Sequence, residues 1–125
     1  MAQGHFIWNE LVSSDVEKAK AFYADAMGWT YDRFPMANGE SYWIIRLGEH
    51  RIGGMYAFKQ PGGAAMPDFW LPYIDVDDVD GSAEKAIAKG AKLMKPIFDV
   101  PNIGRIAMLA EPGGATVAWM TPTPK

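Results

Sequence analysis

Glu10 stands two residues after Trp8 and four after Phe6. Alternate residues of an extended chain share a face, so one carboxylate and two large rings would line a single surface. Such a surface can stack a flat or apolar ligand and orient it through charge-assisted hydrogen bonds. Tyr42, Ile44 and Arg46 make a second set of this kind, and the intervening Trp43, Ile45 and Leu47 are wholly apolar. The apolar face is expected to pack under helices and the mixed face to meet a ligand. Tyr73, then Asp75, and Arg105 supply the same kinds of group later in the chain. Glu10 is also the candidate general base, since a carboxylate in apolar surroundings holds its proton more tightly. Arg46 would neutralise it if the two met, and Tyr73 is the other candidate for acid–base work.

Other chemistry is thinly represented. There are no cysteines, hence no disulfide, thiolate zinc site or cysteine nucleophile. His5 lies three residues before Trp8, an odd spacing that puts it on the opposite face, and His50 sits in the tight turn Gly48-Glu49-His50-Arg51. Gly113-Gly114 follows Pro112 in a hairpin rather than opening a helix, so it does not cradle phosphate. No Gly-x-Ser-x-Gly elbow is present. A net charge of −3 argues against nucleic acid as a partner. No apolar run approaches the roughly 20 residues a membrane helix needs. Met1-Ala2-Gln3-Gly4-His5 lacks the build of a signal peptide, and with the missing cysteines this leads us to expect a cytoplasmic protein. Lys18, Lys20, Lys85 and Lys89 read as the wet faces of two helices.

The elements that must position these residues occur twice. Asp15-Val16 opens an amphipathic stretch that ends at Gly28, and Asp78-Val79 opens another, 63 residues later, that ends at Gly90. Ser14 with Glu17 three residues on has the spacing of a capping box. Val16, Ala19, Phe22, Tyr23, Ala26 and Met27 recur at helical intervals, as do Val79, Ala83, Ala86 and Ile87. Strands are expected over 5–12, 30–34, 41–47 and 52–58, then over 69–76, 91–100, 105–110 and 115–121, with Pro96 interrupting the sixth. Pro61, Gly62, Gly63 and Pro67 mark a linker at about 59–67. The expected fold is one α+β domain of two tandem β-α-β-β-β modules, at about 4–58 and 68–121, with helices outside a curved mixed sheet. Matched positions of the two copies should face a shared cleft. The offset of 63 also relates Glu49 to Pro112 in the last hairpins. It makes Phe69, Leu71 and Tyr73 the counterparts of Phe6, Trp8 and Glu10, and Arg105, Ala107 and Leu109 those of Tyr42, Ile44 and Arg46.

Two such units, with Asp15, Ala21-Phe22-Tyr23 and Gly28-Trp29 in the first helical segment, resemble the vicinal oxygen chelate superfamily. That group includes glyoxalase I, extradiol dioxygenases and the fosfomycin- and bleomycin-resistance proteins. Ala110-Glu111-Pro112-Gly113-Gly114 resembles its Asp-Pro-Asp/Gly-Gly hairpin, with Glu111 in place of the usual Asp. Metal-using members take two ligands from each module, one on the first strand and one on the last. The resemblance carries these onto Trp8, Met55, Leu71 and Ala118, none of which suits a divalent cation. It therefore implies no metal and no other cofactor, and a homodimer. The leading expectation is a metal-independent small-molecule binding protein of the bleomycin-resistance kind, more a binder than an enzyme. Its ligand contacts are expected among Phe6, Trp8, Glu10, Tyr42, Arg46, Met55, Leu71, Tyr73, Arg105 and Ala118. The alternatives are a glyoxalase-like lyase or isomerase working through Glu10, and a protein whose cleft is filled by its own side chains.

Overall fold

The computed structural model describes residues 3–36, 39–57 and 67–124. The elements are β1 (Phe6–Ser13), α1 (Val16–Met27), β2 (Thr30–Pro35), β3 (Ser41–Leu47), β4 (His50–Ala57), β5 (Phe69–Asp75), α2 (Val79–Ala88), β6 (Lys92–Leu93), β7 (Phe98–Val100), β8 (Gly104–Ala110) and β9 (Thr116–Pro122). This is the expected α+β arrangement of repeated β-α-β-β-β units, with the second strand of the second copy broken in two. The linker expected at 59–67 lies outside the described residues apart from Pro67, as does the expected strand end at Phe58. The chain forms two compact units, residues 8–70 and residues 1–7 with 71–125.

In the first unit the strand order is β2-β3-β4-β1. β1 runs parallel to β4, and β2–β3 and β3–β4 are antiparallel. The cap of α1 is Asp15 rather than the expected Ser14; its carboxylate accepts the Lys18 N–H at 3.1 Å. Asp68 claims the neighbouring serines, accepting from Ser13 Oγ and the Ser14 N–H, each at 3.0 Å. Gly28 takes φ 74°, where a Cβ would strain the backbone, and its N–H closes the helix on Ala24 O. α1 sets Val16, Ala19 and Tyr23 against Leu11, Trp43, Ile45 and Met55. Each large apolar side chain fully buried there contributes about 1.5–3 kcal/mol. Phe22 and Met27, expected on the same stripe, are 62% and 58% exposed, so the buried stripe is narrower than the sequence periodicity suggests.

In the second unit the order is β5-β9-β8-β6, with β7 also paired to β8. β5 is parallel to β9. Asp78 caps α2, accepting the Gly81 N–H at 3.3 Å. Pro96 falls in the gap between β6 and β7, where the missing N–H costs no ladder bond. α2 packs Val79, Ala83 and Ala86 onto Val76, Ala107, Leu109 and Val117.

The internal repeat does not keep a single offset. The helix caps Asp15 and Asp78 are 63 residues apart. The final hairpins differ by 64: Ile44 pairs with Gly54 as Met108 pairs with Ala118. The buried residues agree, since Ile45 in one core matches Leu109 in the other. A shift of one residue exchanges the faces of a strand. Gly54, not Met55, is therefore the counterpart of Ala118. Met55 is fully buried in the helix-side core, and Ala107 and Leu109 belong to the core under α2. Arg105 shares their face rather than that of Ile106 and Met108.

Candidate functional site

The helix-free face of the first unit gathers Trp8, Glu10, Tyr42, Ile44, Arg46, Gly54 and Tyr56. Each alternates with a residue of the helix-side core or its register partner. Gly54 lies between Glu10 on β1 and Ile44 on β3 in register. A side chain at this position would collide with the Tyr42 ring and hydroxyl, so Tyr42 occupies the space above Gly54. From β3 it reaches over β4 to β1, where the Trp8 indole N–H donates to its hydroxyl at 2.9 Å. The Tyr42 hydroxyl in turn donates to the Glu10 carboxylate. The result is a relay of donors, indole to phenol to carboxylate, ending on a carboxylate that is 5% exposed. Tyr56 completes the face, its ring stacked on Tyr42 with centroids 6.1 Å apart.

Burial first, and then the Glu10 charge, push both phenols to higher pKa: Tyr56 to about 12, Tyr42 further still. Both stay protonated at neutral pH and act as donors. Arg46 Nη1 pairs with Asp32 at 3.2 Å across β2–β3. Its Nε–H is buried with no hydrogen-bond partner among the described residues.

In the second unit Leu71, Tyr73 and Asp75 alternate with Ile74 and Val76 of the helix-side core, and Tyr73 lies in register with Ala118. Leu71 and Ala118 are fully buried and Tyr73 is 7% exposed. Asp75 Oδ1 accepts the backbone N–H groups of Gly4 and His5 at 3.0 and 2.7 Å, which ties down the N-terminal segment. His5 Nδ1 is 3.6 Å from the same oxygen. Phe6 is 70% exposed. Arg105 holds Asp80 of α2 through Nε at 2.9 Å and Asp99 through Nη1 at 2.9 Å. These bonds hold the Asp80 carboxyl below its ordinary pKa. Arg105 thus fastens helix to strand on the face opposite Tyr73.

Trp8, Gly54, Leu71 and Ala118 present an indole, no side chain, an isobutyl group and a methyl. None of them offers the nitrogen, thiolate or carboxylate a divalent ion needs. No group of three or more His, Cys, Asp or Glu residues is placed to hold a metal among the described residues. Sequence reasoning missed Gly54 and Tyr56. Adjacent glycines inside a strand, Gly53-Gly54, signal close approach of another group, and Tyr56 follows on the same face.

The family model for the Glyoxalase/Bleomycin resistance protein/Dioxygenase superfamily matches residues 3–118. CFP32 of Mycobacterium bovis, provisionally named a glyoxylase, is 35% identical over 122 residues, covering 98% of this chain and 46% of its own. The anthracycline biosynthesis protein DnrV of Streptomyces peucetius is 29% identical over 130 residues, covering 94% of this chain and 46% of its own. The chain thus spans about half the length of these relatives. Among solved structures, methylmalonyl-CoA epimerase from Mycobacterium tuberculosis is similar with a TM-score of 0.64 at 14% identity, covering 95% of this chain and 88% of that one. An H200Q variant of homoprotocatechuate 2,3-dioxygenase from B. fuscum gives 0.65 at 17%, covering 98% and 33%. At such identities these structures speak for the fold alone. No helix among the described residues is long and apolar enough to cross a membrane.

Proposed function

The chain belongs to the Glyoxalase/Bleomycin resistance protein/Dioxygenase superfamily, and from that premise we propose that it binds a flat or apolar small molecule without a metal, sequestering it on the ring-lined face of its first unit. The observation that supports this reading most is the relay from Trp8 through Tyr42 to Glu10, built across Gly54. It puts aromatic surface and fixed donors where metal-using relatives place ligands. The test is quenching of tryptophan fluorescence by a panel of aromatic and thiol-conjugate compounds. Saturable quenching that Trp8→Phe or Tyr42→Phe weakens by several-fold is expected. If no compound quenches, and these variants change stability alone, the face is filled core and the reading fails.

A second reading, an enzyme with Glu10 in acid–base work, draws support from the burial of that carboxylate beside a phenol donor. An isomerase or lyase activity abolished by Glu10→Gln with substrate binding retained would favour it over sequestration. We extend the proposal to a homodimer in the cytoplasm. The exposed Phe6, Phe22 and Phe34 support self-association, and the absence of cysteine supports the compartment. Analytical ultracentrifugation tests the dimer.

A further inference from the structure

The second unit carries an open groove of about 440 Å³ on its helix side, between α2 and the β8–β9 hairpin. This is within the range of small-ligand sites, roughly 300–1,000 Å³. Its floor is Trp119, Leu109, Val117, Val76 and Ala86, and its rim carries Lys85 and Lys89 together with Ser82 and Glu111.

The internal repeat explains why space is left there. At the helix offset of 63, Ala86 is the counterpart of Tyr23. In the first unit Tyr23 packs against the helix-side core and stacks on Trp29 with ring centroids 4.6 Å apart. Ala86 packs against the equivalent core with a methyl alone. The second copy therefore lacks a phenol ring under its helix. The same comparison sets Lys85 against Phe22 and Lys89 against Ala26. One copy sets a phenol and apolar neighbours there; the other sets a methyl and two cations beside the groove. Lys85 lies in the last turn of α2 and Lys89 is its C-cap, one turn on, and neither forms an ion pair among the described residues. In a chain of net charge −3 this is local charge of the opposite sign.

We infer that this groove is a second small-molecule site, distinct from the Trp8 face, for a compact aromatic anion. Its ring fills the volume that Tyr23 fills in the other copy, and its carboxylate or sulfonate meets Lys85 and Lys89. The ring stacks near Trp119, which is the tryptophan of the second unit, since Trp8, Trp29, Trp43 and Trp70 belong to the first. Two ammonium groups against the single carboxylate of Glu111 set the preference for an anion.

Titration of the intact protein with anilinonaphthalene sulfonate, excited through tryptophan, tests the site. Saturable emission is expected, and Ala86→Tyr should weaken binding at least about tenfold because the groove is filled by a side chain the sister copy already accommodates. The surface pair Lys85→Gln with Lys89→Gln leaves the core intact and should weaken binding by about fivefold, with little change for an uncharged anilinonaphthalene. Absence of saturable emission overturns the inference, and so does binding indifferent to all three substitutions. Binding lost on Trp8→Ala but retained in Ala86→Tyr puts the probe on the other face, which also overturns it.

Discussion

Replacing Gly54 with alanine strikes the point where Tyr42 crosses β4. The new methyl would sit inside the phenol ring, and β4 is held in register by β1 and β3 on both sides, so the side chain must move rather than the backbone. Moving Tyr42 breaks the Trp8 N–H bond, worth about 1 kcal/mol, and the bond to the Glu10 carboxylate, worth about 2 kcal/mol. The ring contact with Tyr56 is worth about 1 kcal/mol more. Removing a glycine from a strand returns about 0.5–1 kcal/mol. The balance is a loss of about 3 kcal/mol, or a Tm lowered by about 10 °C in a chain of this size. Urea unfolding of Gly54→Ala, Tyr42→Ala and the double variant measures it. In the double variant the alanine methyl has nothing left to displace, so the two losses should fall well short of additive. Gly113, with no atom within 4 Å of a would-be Cβ, is the control, and Gly113→Ala should stay within about 0.5 kcal/mol. A Gly54→Ala protein as stable as the parent, or additive losses in the double variant, would refute the crossing.

Ultraviolet titration should find Tyr56 ionising near pH 12 rather than 10.0. Its folded pKa lies above its unfolded one, so its contribution is complete below pH 10 and is lost as pH rises towards 12; Glu10→Gln, which removes the second cause, should soften that alkaline loss. Asp80 works in the other direction: held low by Arg105, it stabilises above its unfolded pKa, and Arg105→Ala should remove a portion of the acid-side decline seen in pH-dependent melting. Trp29→Ala, which removes a ring stacked on Tyr23 and edge-on to Trp70 at 6.2 Å, should cost about 3 kcal/mol in urea unfolding. Zinc, nickel or manganese in excess should leave Tm unchanged in a thermal-shift assay, since Trp8, Gly54, Leu71 and Ala118 offer no donors; a rise would mean that other residues bind the ion.

The helices were legible because their signals are local. Asp78 and Gly28 act through bonds within a few residues of themselves. Ser14 misled for a reason no local pattern contains: Asp68, more than fifty residues away, takes its N–H and leaves the capping to Asp15. Strand alternation placed Tyr42, Ile44 and Arg46 on one face and Trp43 with Ile45 under the helix, as the core shows. The same reasoning misplaced Met55 and Arg105 because it carried the helix offset of 63 into hairpins related by 64. Alternation within a strand is fixed by the pleat, but the phase between distant strands depends on loop length, which local sequence does not reveal. The Tyr42 contact of Glu10 was missed similarly, and so was the pairing of Arg46 with Asp32 across β2–β3. A phenol reaching over a glycine has no signature beyond the unexplained Gly53-Gly54 pair.

The net extra residue of the second copy arises between α2 and β8. Lys92, opposite Ala110, stands 62 residues after Thr30, opposite Arg46, whereas Phe98, opposite Ile106, stands 64 after Phe34, opposite Tyr42. One residue is thus lost before β6, and two are gained where Pro96 divides β6 from β7. An odd insertion inside a paired ladder would turn greasy groups outward and be purged. Here the single-residue loss falls before β6 and the gain between β6 and β7 is even, while Ala107 and Leu109 of the hairpin beyond keep their places under α2. A change of two residues in that gap therefore preserves which face of each short strand meets the helix, whereas a change of one would reverse it in one of them.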